Sequence, residues 1–219
     1  MHKIQMLKEM GIDVWIEKGD SLAVEAGGIQ ITDSLSSLTE KMHECKLCSF
    51  YQRRNQAIFG HGLEFEPQVL IVGERPSFED NDRGELFTTS RGSLLNSMLN
   101  SIGINQQRCY FANLIKCYPG DDAKSIARGI HECIPYLYGQ IELIQPQFIL
   151  FLGNEAAEPF LKSKDLERKL QSDVYYYRQK IPVIITESLD SLFASPQQKR
   201  DAWRDLQLLR GIMDDVSRH

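Results

Sequence analysis

The sequence predicts an α/β fold in which a parallel sheet is covered by helices on both faces. Two continuous apolar segments, 67–73 and 147–153, are typical of strands that are buried on both sides. Helical patterns near residues 92–102 and 123–143 alternate with these strands, as they do in parallel sheets. A length of 219 residues suits one such domain.

Weaker signals complete the pattern at both ends of the chain. Asp33 or Ser34 is expected to cap a helix that runs to about residue 44. A last helix is predicted to start after Pro196 and to run to about residue 213, with Trp203, Leu206 and Leu209 on one face. Shorter strands are predicted within 21–32, 109–114, 174–177 and 182–186.

The composition is that of a soluble globular protein. The hydrophobic fraction is 42%, the net charge is −5 and the pI is about 5.6. No apolar run approaches the roughly 20 residues that span a bilayer, and the N-terminus lacks an apolar signal core. We therefore expect a cytoplasmic protein. The acidic balance disfavours tight nonspecific DNA binding, yet it allows a local basic groove.

Polar segments follow the ends of three predicted strands, at 73–87, 113–117 and 187–191. In open parallel sheets, ligands bind outside the carboxyl ends of the strands. These segments are therefore expected to converge on one site.

Five cysteines occur, and four of them form a spaced pattern. Cys45 and Cys48 make a C-x-x-C pair, and Cys117 and Cys133 lie far downstream. Thiolates in such a pattern bind a zinc ion or an iron–sulfur cluster, and spacing alone does not separate the two. The alternative is four unrelated buried thiols. Cys109 falls outside the pattern and is expected to be a buried thiol.

These motifs resemble the iron–sulfur (type 4) uracil-DNA glycosylases over about residues 45–209. The resemblance implies a three-layer sandwich around a central, mostly parallel four-stranded sheet, with a 4Fe–4S cluster bound by Cys45, Cys48, Cys117 and Cys133. It also implies DNA as the partner and uracil as the base. The shared segments are Cys45-x-x-Cys48, Phe59-Gly60-x-Gly62, Gly73-Glu74-x-Pro76, Asn113-x-x-Lys116-Cys117, Glu132-Cys133-x-Pro135 and Leu152-Gly153-x-x-Ala156-Ala157.

The residues of the family's base pocket are retained. By resemblance, Phe87 stacks on the base, Asn113 reads the uracil edge, and Gly73 and Glu74 belong to the first active-site motif. The alternative for Phe87 is a core residue beneath a loop. For Asn113 the alternative is a strand-end amide that bonds to the backbone.

Both catalytic motifs depart from the family. In the first, Ser77 stands where the family has a glycine, and Glu79 and Asp80 remain as carboxylates that could organise water. In the second, Ser188 replaces the histidine that donates to the leaving uracil, and Leu189 replaces a proline. Losing one such donor costs about 100- to 1,000-fold in rate.

Two acidic residues of the second motif add to this effect. Glu187 and Asp190 place negative charge where phosphate and anionic uracil are expected. We therefore expect weak or absent glycosylase activity.

The N-terminal segment resembles that of the bacterial DNA polymerase III psi subunit. Leu7, Met10, Ile12 and Trp15 are its apolar residues. The resemblance implies partners among clamp-loader subunits (tau/gamma and chi), reached through an extension at 1–44 that precedes a glycosylase-like domain at 45–219. The alternative is an amphipathic segment that packs on its own domain.

Two functions follow from these observations. The first is a catalytically degraded glycosylase fold that serves as a psi-like assembly subunit of the replicase clamp loader. The second is an active base-excision repair enzyme with a rearranged active site.

Overall fold

The computed structural model describes residues 34–120, 125–163, 165–168 and 174–216. The predicted strands within 21–32 and the predicted partner-binding residues Leu7, Met10, Ile12 and Trp15 lie outside these ranges.

The helices agree closely with the sequence patterns, and two short ones were not predicted. Ser34 caps the first helix, since its Oγ accepts a hydrogen bond from Ser37 N at 3.2 Å. The short helices α2 and α6 were missed because each has only six residues, too few for a helical pattern to be recognised. The helices are α1 (Leu35–Glu44), α2 (Phe78–Arg83), α3 (Ser90–Ser101), α4 (Ile126–Ile144), α5 (Asn154–Lys162), α6 (Leu189–Ala194) and α7 (Pro196–Val216).

The described strands form one seven-stranded sheet in the order β1-β3-β2-β4-β7-β6-β5. They are β1 (His61–Gly62), β2 (Val69–Gly73), β3 (Cys109–Asn113), β4 (Phe148–Leu152), β5 (Leu166–Arg168), β6 (Tyr175–Tyr177) and β7 (Ile181–Thr186).

The sheet is mixed rather than four-stranded. Neighbours in the central run β3-β2-β4-β7 pair in parallel, as predicted for strands joined by helices. β1 pairs antiparallel with β3, and β6 and β5 add antiparallel strands beyond β7. The four-stranded count that the resemblance implied was therefore wrong. β6 agrees with the strand predicted within 174–177, whereas β1 and β5 are too short to give a periodic signal.

Helices cover both faces of the sheet, which confirms the three-layer arrangement. Val69 and Ile71 of β2 pack on one face with residues of α3, α6 and α7. Leu70 and Val72 pack on the other face with residues of α4 and α5. All four side chains are fully buried, as a strand between two helical layers requires.

The C-terminal helix differs from the prediction at one residue. Leu206 and Leu209 are buried in the core, but Trp203 is 48% exposed. The buried face of α7 is completed instead by Ala202 and Met213.

A third apolar cluster lies outside the sheet and contains the C-x-x-C region. Leu38 and Met42 of α1 pack there with Phe50 and with residues of α4. Among the described residues, no helix has the length and apolarity needed to cross a membrane.

Candidate active site

The three predicted polar segments converge on one cavity at the carboxyl ends of the parallel strands. Its volume is about 280 Å³. Gly73 and Asn113 end neighbouring strands and are directly paired, and Leu152 ends the next strand. The residues that line the cavity are Gly73, Glu74, Arg75, Pro76, Ser77, Phe87, Arg91, Asn113, Tyr118, Pro119, Gly120, Leu152, Glu155, Ser188, Leu189 and Asp190.

Asn113 places an unsatisfied amide at the floor of this cavity. The residue is completely buried, and neither Oδ1 nor Nδ2 has a hydrogen-bond partner in the described structure. The predicted alternative, an amide bonded to backbone, is therefore wrong. Because a buried amide without partners is costly, this geometry favours a ligand that supplies both a donor and an acceptor.

The backbone of Asn113 is held by a buried lysine. Lys116 Nζ donates to Asn113 O at 2.6 Å and to Gln140 Oε1 at 2.5 Å. Gln140 Nε2 in turn donates to Phe59 O at 2.8 Å. Burial lowers the pKa of Lys116 to about 7. This network fixes the strand end that carries the amide.

Phe87 forms a wall of the cavity and also packs against the core. Its ring meets Phe111 edge-on, with centroids 6.1 Å apart. Its φ of 57° lies in the left-handed region. A Cβ at Gly92 would lie 1.6 Å from Phe87 O, so glycine is required there for the loop to pass.

The lack of a side chain at Gly73 lets Asn113 and Phe87 pack closely against the Gly73 backbone. A Cβ at this position would lie 2.4 Å from Asn113 Oδ1 and 3.1 Å from Phe87 Cζ. Any side chain at Gly73 would therefore displace the amide or the ring.

The carboxylates predicted to be catalytic lie outside the cavity lining. Asp80 is buried in a capping box, where its Oδ2 accepts from Ser77 N at 2.9 Å and Ser77 Oγ accepts from Asp80 N at 3.1 Å. Glu79 follows Phe78 on the exposed side of α2. Glu74 and Glu155 are instead the glutamates that line the cavity.

Glu74 has a perturbed acidity. Burial raises its pKa above the usual range, and Arg75 is the strongest opposing influence. Glu74 Oε1 lies 3.4 Å from Arg75 Nη1. The site therefore holds a partly desolvated carboxylate beside a cation.

Ser188 lines the cavity but also caps a helix. Its Oγ accepts a hydrogen bond from Ser191 N at 3.2 Å at the start of α6. Of the acidic neighbours, Glu187 Oε2 accepts from Ser191 Oγ at 3.0 Å, and Asp190 Oδ2 accepts from Arg91 Nη2 at 2.5 Å. The charge of Asp190 is thus paired, which the sequence did not indicate.

Sequence reasoning missed Arg91, Glu155 and Tyr118 in the cavity lining. Glu155 could have been found, because it lies three residues beyond the end of β4 and parallel strands present ligand sites at that end. Arg91 belongs to α3 and carries no comparable local signal.

The cysteines of the predicted pattern gather in the third apolar cluster. Cys48, Cys117 and Cys133 are buried members, and Cys45 packs against them. Burial raises the pKa of Cys133 to about 12 and also raises that of Cys48. Cys109 lies in the core on one face of the sheet, which confirms its prediction as a buried thiol.

Polar groups surround these sulfurs. Arg54 Nη1 donates to Cys117 Sγ at 2.9 Å, and Arg54 Nη2 donates to Cys45 O at 3.1 Å. Backbone hydrogen bonds from Phe50 and Lys116 lower the pKa values of Cys48 and Cys133 against the effect of burial. Within the described ranges, no group of three or more His, Cys, Asp or Glu side chains could hold a metal ion.

Comparison with known proteins identifies the family. The profile of the Uracil DNA glycosylase superfamily matches residues 59–207, which is more than half of the chain. A type-4 uracil-DNA glycosylase of Archaeoglobus fulgidus is 28% identical over 182 residues, covering 80% of this chain and 91% of that protein.

Further relatives match over a shorter central region. A type-4 uracil-DNA glycosylase of Sulfurisphaera tokodaii is 32% identical over 127 residues, covering 58% of this chain and 57% of that protein. One from Pyrobaculum aerophilum is 30% identical over 128 residues, covering 58% and 65%. The family profile covers more than half of the chain and agrees with the α/β fold and the convergent strand ends, and this chain belongs to the uracil DNA glycosylase superfamily.

Proposed function

We propose that this protein binds a uracil-type pyrimidine flipped out of DNA and hydrolyses its N-glycosidic bond. The observation that carries the proposal is the buried Asn113 amide, whose donor and acceptor are both unused. An amide offers one donor and one acceptor side by side, which complements the N3–H and carbonyl edge of uracil. Phe87 supplies an aromatic wall for the flipped base. The names of the relatives, type-4 uracil-DNA glycosylases, support the same substrate.

We assign the positioning of water to Glu74 rather than to Glu79 or Asp80. Glu74 lines the cavity, whereas the Asp80 carboxylate accepts a hydrogen bond within its helix cap. The raised pKa of Glu74 suits a group that takes up a proton from attacking water.

We also propose that Cys45, Cys48, Cys117 and Cys133 hold a 4Fe–4S cluster. In such a cluster each thiolate binds a different iron, so the sulfurs stand further apart than the ligands of one ion. The packing of all four cysteines in or against one apolar cluster supports a shared site for their thiolates. When bound, the cluster would supply a structural link between these segments.

A second candidate is a non-catalytic, base-binding protein. The cap formed by Ser188 and the placement of Glu79 and Asp80 outside the cavity favour it. A psi-like role in the clamp loader rests on the N-terminal residues, which lie outside the described ranges, and the comparisons give it no support.

Single-turnover excision from a uracil-containing single strand tests the proposal. Anaerobically purified wild-type protein is compared with Asn113→Ala and Ser188→His. We expect slow cleavage by the wild type, about 100- to 1,000-fold below a site with its full set of donors. We expect no cleavage by Asn113→Ala.

The Ser188→His variant separates the two candidates. A gain in rate would indicate an intact pocket that lacks one donor. Inert wild-type protein, with or without that gain, would refute catalysis by the natural chain and favour the base-binding candidate. Because the substitution removes a helix cap worth about 1 kcal/mol, its unfolding is measured beside its activity.

A further inference from the structure

An arginine that no motif singled out lies in the wall of the base cavity. Arg91 is the second residue of α3 and lines the cavity together with Phe87, Asn113 and Ser188. Its side chain is 24% exposed, so its charge is largely shielded from bulk water. A partly buried cation acts on neighbouring charges more strongly than an exposed one.

The position of Arg91 is set by an ion pair that joins two distant segments. Arg91 Nη2 donates to Asp190 Oδ2 at 2.5 Å, across 99 residues of sequence. A guanidinium has five N–H donors, and this bond uses one of them. The Nε atom is buried and has no acceptor among the described residues. Arg91 therefore keeps unused hydrogen-bonding capacity beside the cavity.

The charges around the cavity give such a cation a role in excision, since the other arginine of the lining, Arg75, contacts Glu74. Breaking a glycosidic bond leaves the electron pair, and a negative charge, on the departing base. Glu74, Glu155 and Asp190 all line the cavity and oppose that charge. The Ser188 hydroxyl accepts from Ser191 N with one lone pair, and its O–H is a neutral donor that brings no positive charge to the cavity.

We propose that Arg91 stabilises the negative charge of the departing pyrimidine, taking the place of the histidine that Ser188 replaces. In this step the bond from C1′ to the base nitrogen breaks, and its electron pair moves onto the base. The oxygen of water bonds to C1′, and the released proton passes to a carboxylate of the cavity. Asp190 orients Arg91 for this task. The inference rests on the proposed function, since it concerns the same cavity.

The test measures single-turnover excision of uracil and of 5-fluorouracil from the same single-stranded sequence. Wild-type protein is compared with Arg91→Gln, Arg91→Lys and Asp190→Asn. Arg83→Gln is the matched control, since Arg83 is exposed and lies outside the cavity lining. We expect Arg91→Gln to lower uracil excision by about 100- to 1,000-fold, as for other lost leaving-group donors. We expect Arg91→Lys to retain part of the rate.

The second substrate distinguishes chemistry from structure. The 5-fluorouracil anion is more stable and needs less help from the protein, so Arg91→Gln should slow its release much less than that of uracil. A loss of fold would slow both substrates equally. Asp190→Asn keeps the cation and an oxygen that can accept from it, so it should lose less activity than Arg91→Gln.

Three outcomes would overturn the inference. Uracil excision by Arg91→Gln within about threefold of the wild type would exclude a role for the charge. Equal losses on the two bases in Arg91→Gln would make the ion pair structural. If the wild type cleaves neither substrate, the proposed function fails and the inference fails with it, whereas the first two outcomes leave the proposed function intact.

Discussion

At the scale of single residues, the base pocket depends on very close packing around Asn113. The amide is buried without a partner, and Gly73 leaves room for both Asn113 Oδ1 and the ring of Phe87. Lys116 Nζ donates a hydrogen bond to the backbone carbonyl of Asn113. The cost of the unsatisfied amide is consistent with a site built for a ligand rather than for stability.

Glu74 predicts opposite pH dependences for activity and stability. Its pKa is raised above 4.5, and the ionised form is the one that accepts a proton from water. The excision rate should therefore fall as pH drops through the raised pKa. The folded state binds this proton more tightly than the unfolded state does, so stability should fall as pH rises between 4.5 and the raised pKa.

Glu74→Gln should abolish both effects. We expect Glu74→Gln to lower the single-turnover rate by about 100-fold or more. Its pH–rate profile should lack the acidic limb, which is the fall in rate that the wild type shows at low pH. Urea unfolding across the same pH range measures the stability term. Glu158→Gln, which changes an exposed glutamate on α5, is the control and should keep the limb. An acidic limb that survives in Glu74→Gln would contradict the assignment.

At the scale of elements, the two sequence departures in the catalytic motifs have the same structural effect. Ser77 is the N-cap residue of α2, which follows β2, and Ser188 is the N-cap residue of α6, which follows β7. Each hydroxyl accepts a backbone N–H of its own first turn. Serine is a favourable N-cap residue, and neither glycine nor histidine offers this hydroxyl. The departures therefore stabilise short helices at the rim of the cavity.

Asp80→Ala should lower stability while sparing catalysis. Removing its side of the capping box is expected to reduce the free energy of unfolding by about 0.5–2 kcal/mol. Urea denaturation measures this change, and Asp82→Ala, an exposed change on the same helix, is the control. If Asp80→Ala were as stable as the wild type but lacked excision activity, Asp80 would be a catalytic residue and this prediction would be wrong.

At the scale of the whole molecule, the cysteine site joins parts of the chain that the sheet does not connect. Cys45 and Cys48 follow the end of α1, Cys117 follows β3, and Cys133 lies within α4. Arg54 connects the same region through its bonds to Cys117 Sγ and Cys45 O. A cluster bound there would hold α1 and its apolar surroundings onto the α/β body.

Replacing both Cys117 and Cys133 with alanine should remove the cluster and weaken the fold. We expect loss of visible absorbance and bound iron, with a decrease of more than about 4 kcal/mol in unfolding free energy, as for other lost metal sites. Cys109→Ala, which changes the buried thiol outside the pattern, should keep the iron and cost about 1 kcal/mol. Equal iron contents in the two proteins would contradict the assignment.

The sequence alone predicted much of the fold and part of the site. The central strands, the long helices and the convergence of three polar segments follow from local apolar patterns and from the geometry of parallel sheets. Phe87 and Asn113 were singled out by their match to the motifs of a known family, and both line the cavity.

The tertiary structure alone decided which polar side chains enter the cavity. The Asp80 carboxylate accepts a hydrogen bond in a helix cap instead of lining the cavity. Arg91 lines the cavity and is held there by an ion pair with Asp190, 99 residues away in the sequence. The exposure of Trp203 was likewise decided by the tertiary structure. Apolar periodicity is a local property that sets the secondary structure. The orientation of a loop side chain depends on its contacts with segments that are distant in sequence, and these contacts form only in the folded chain.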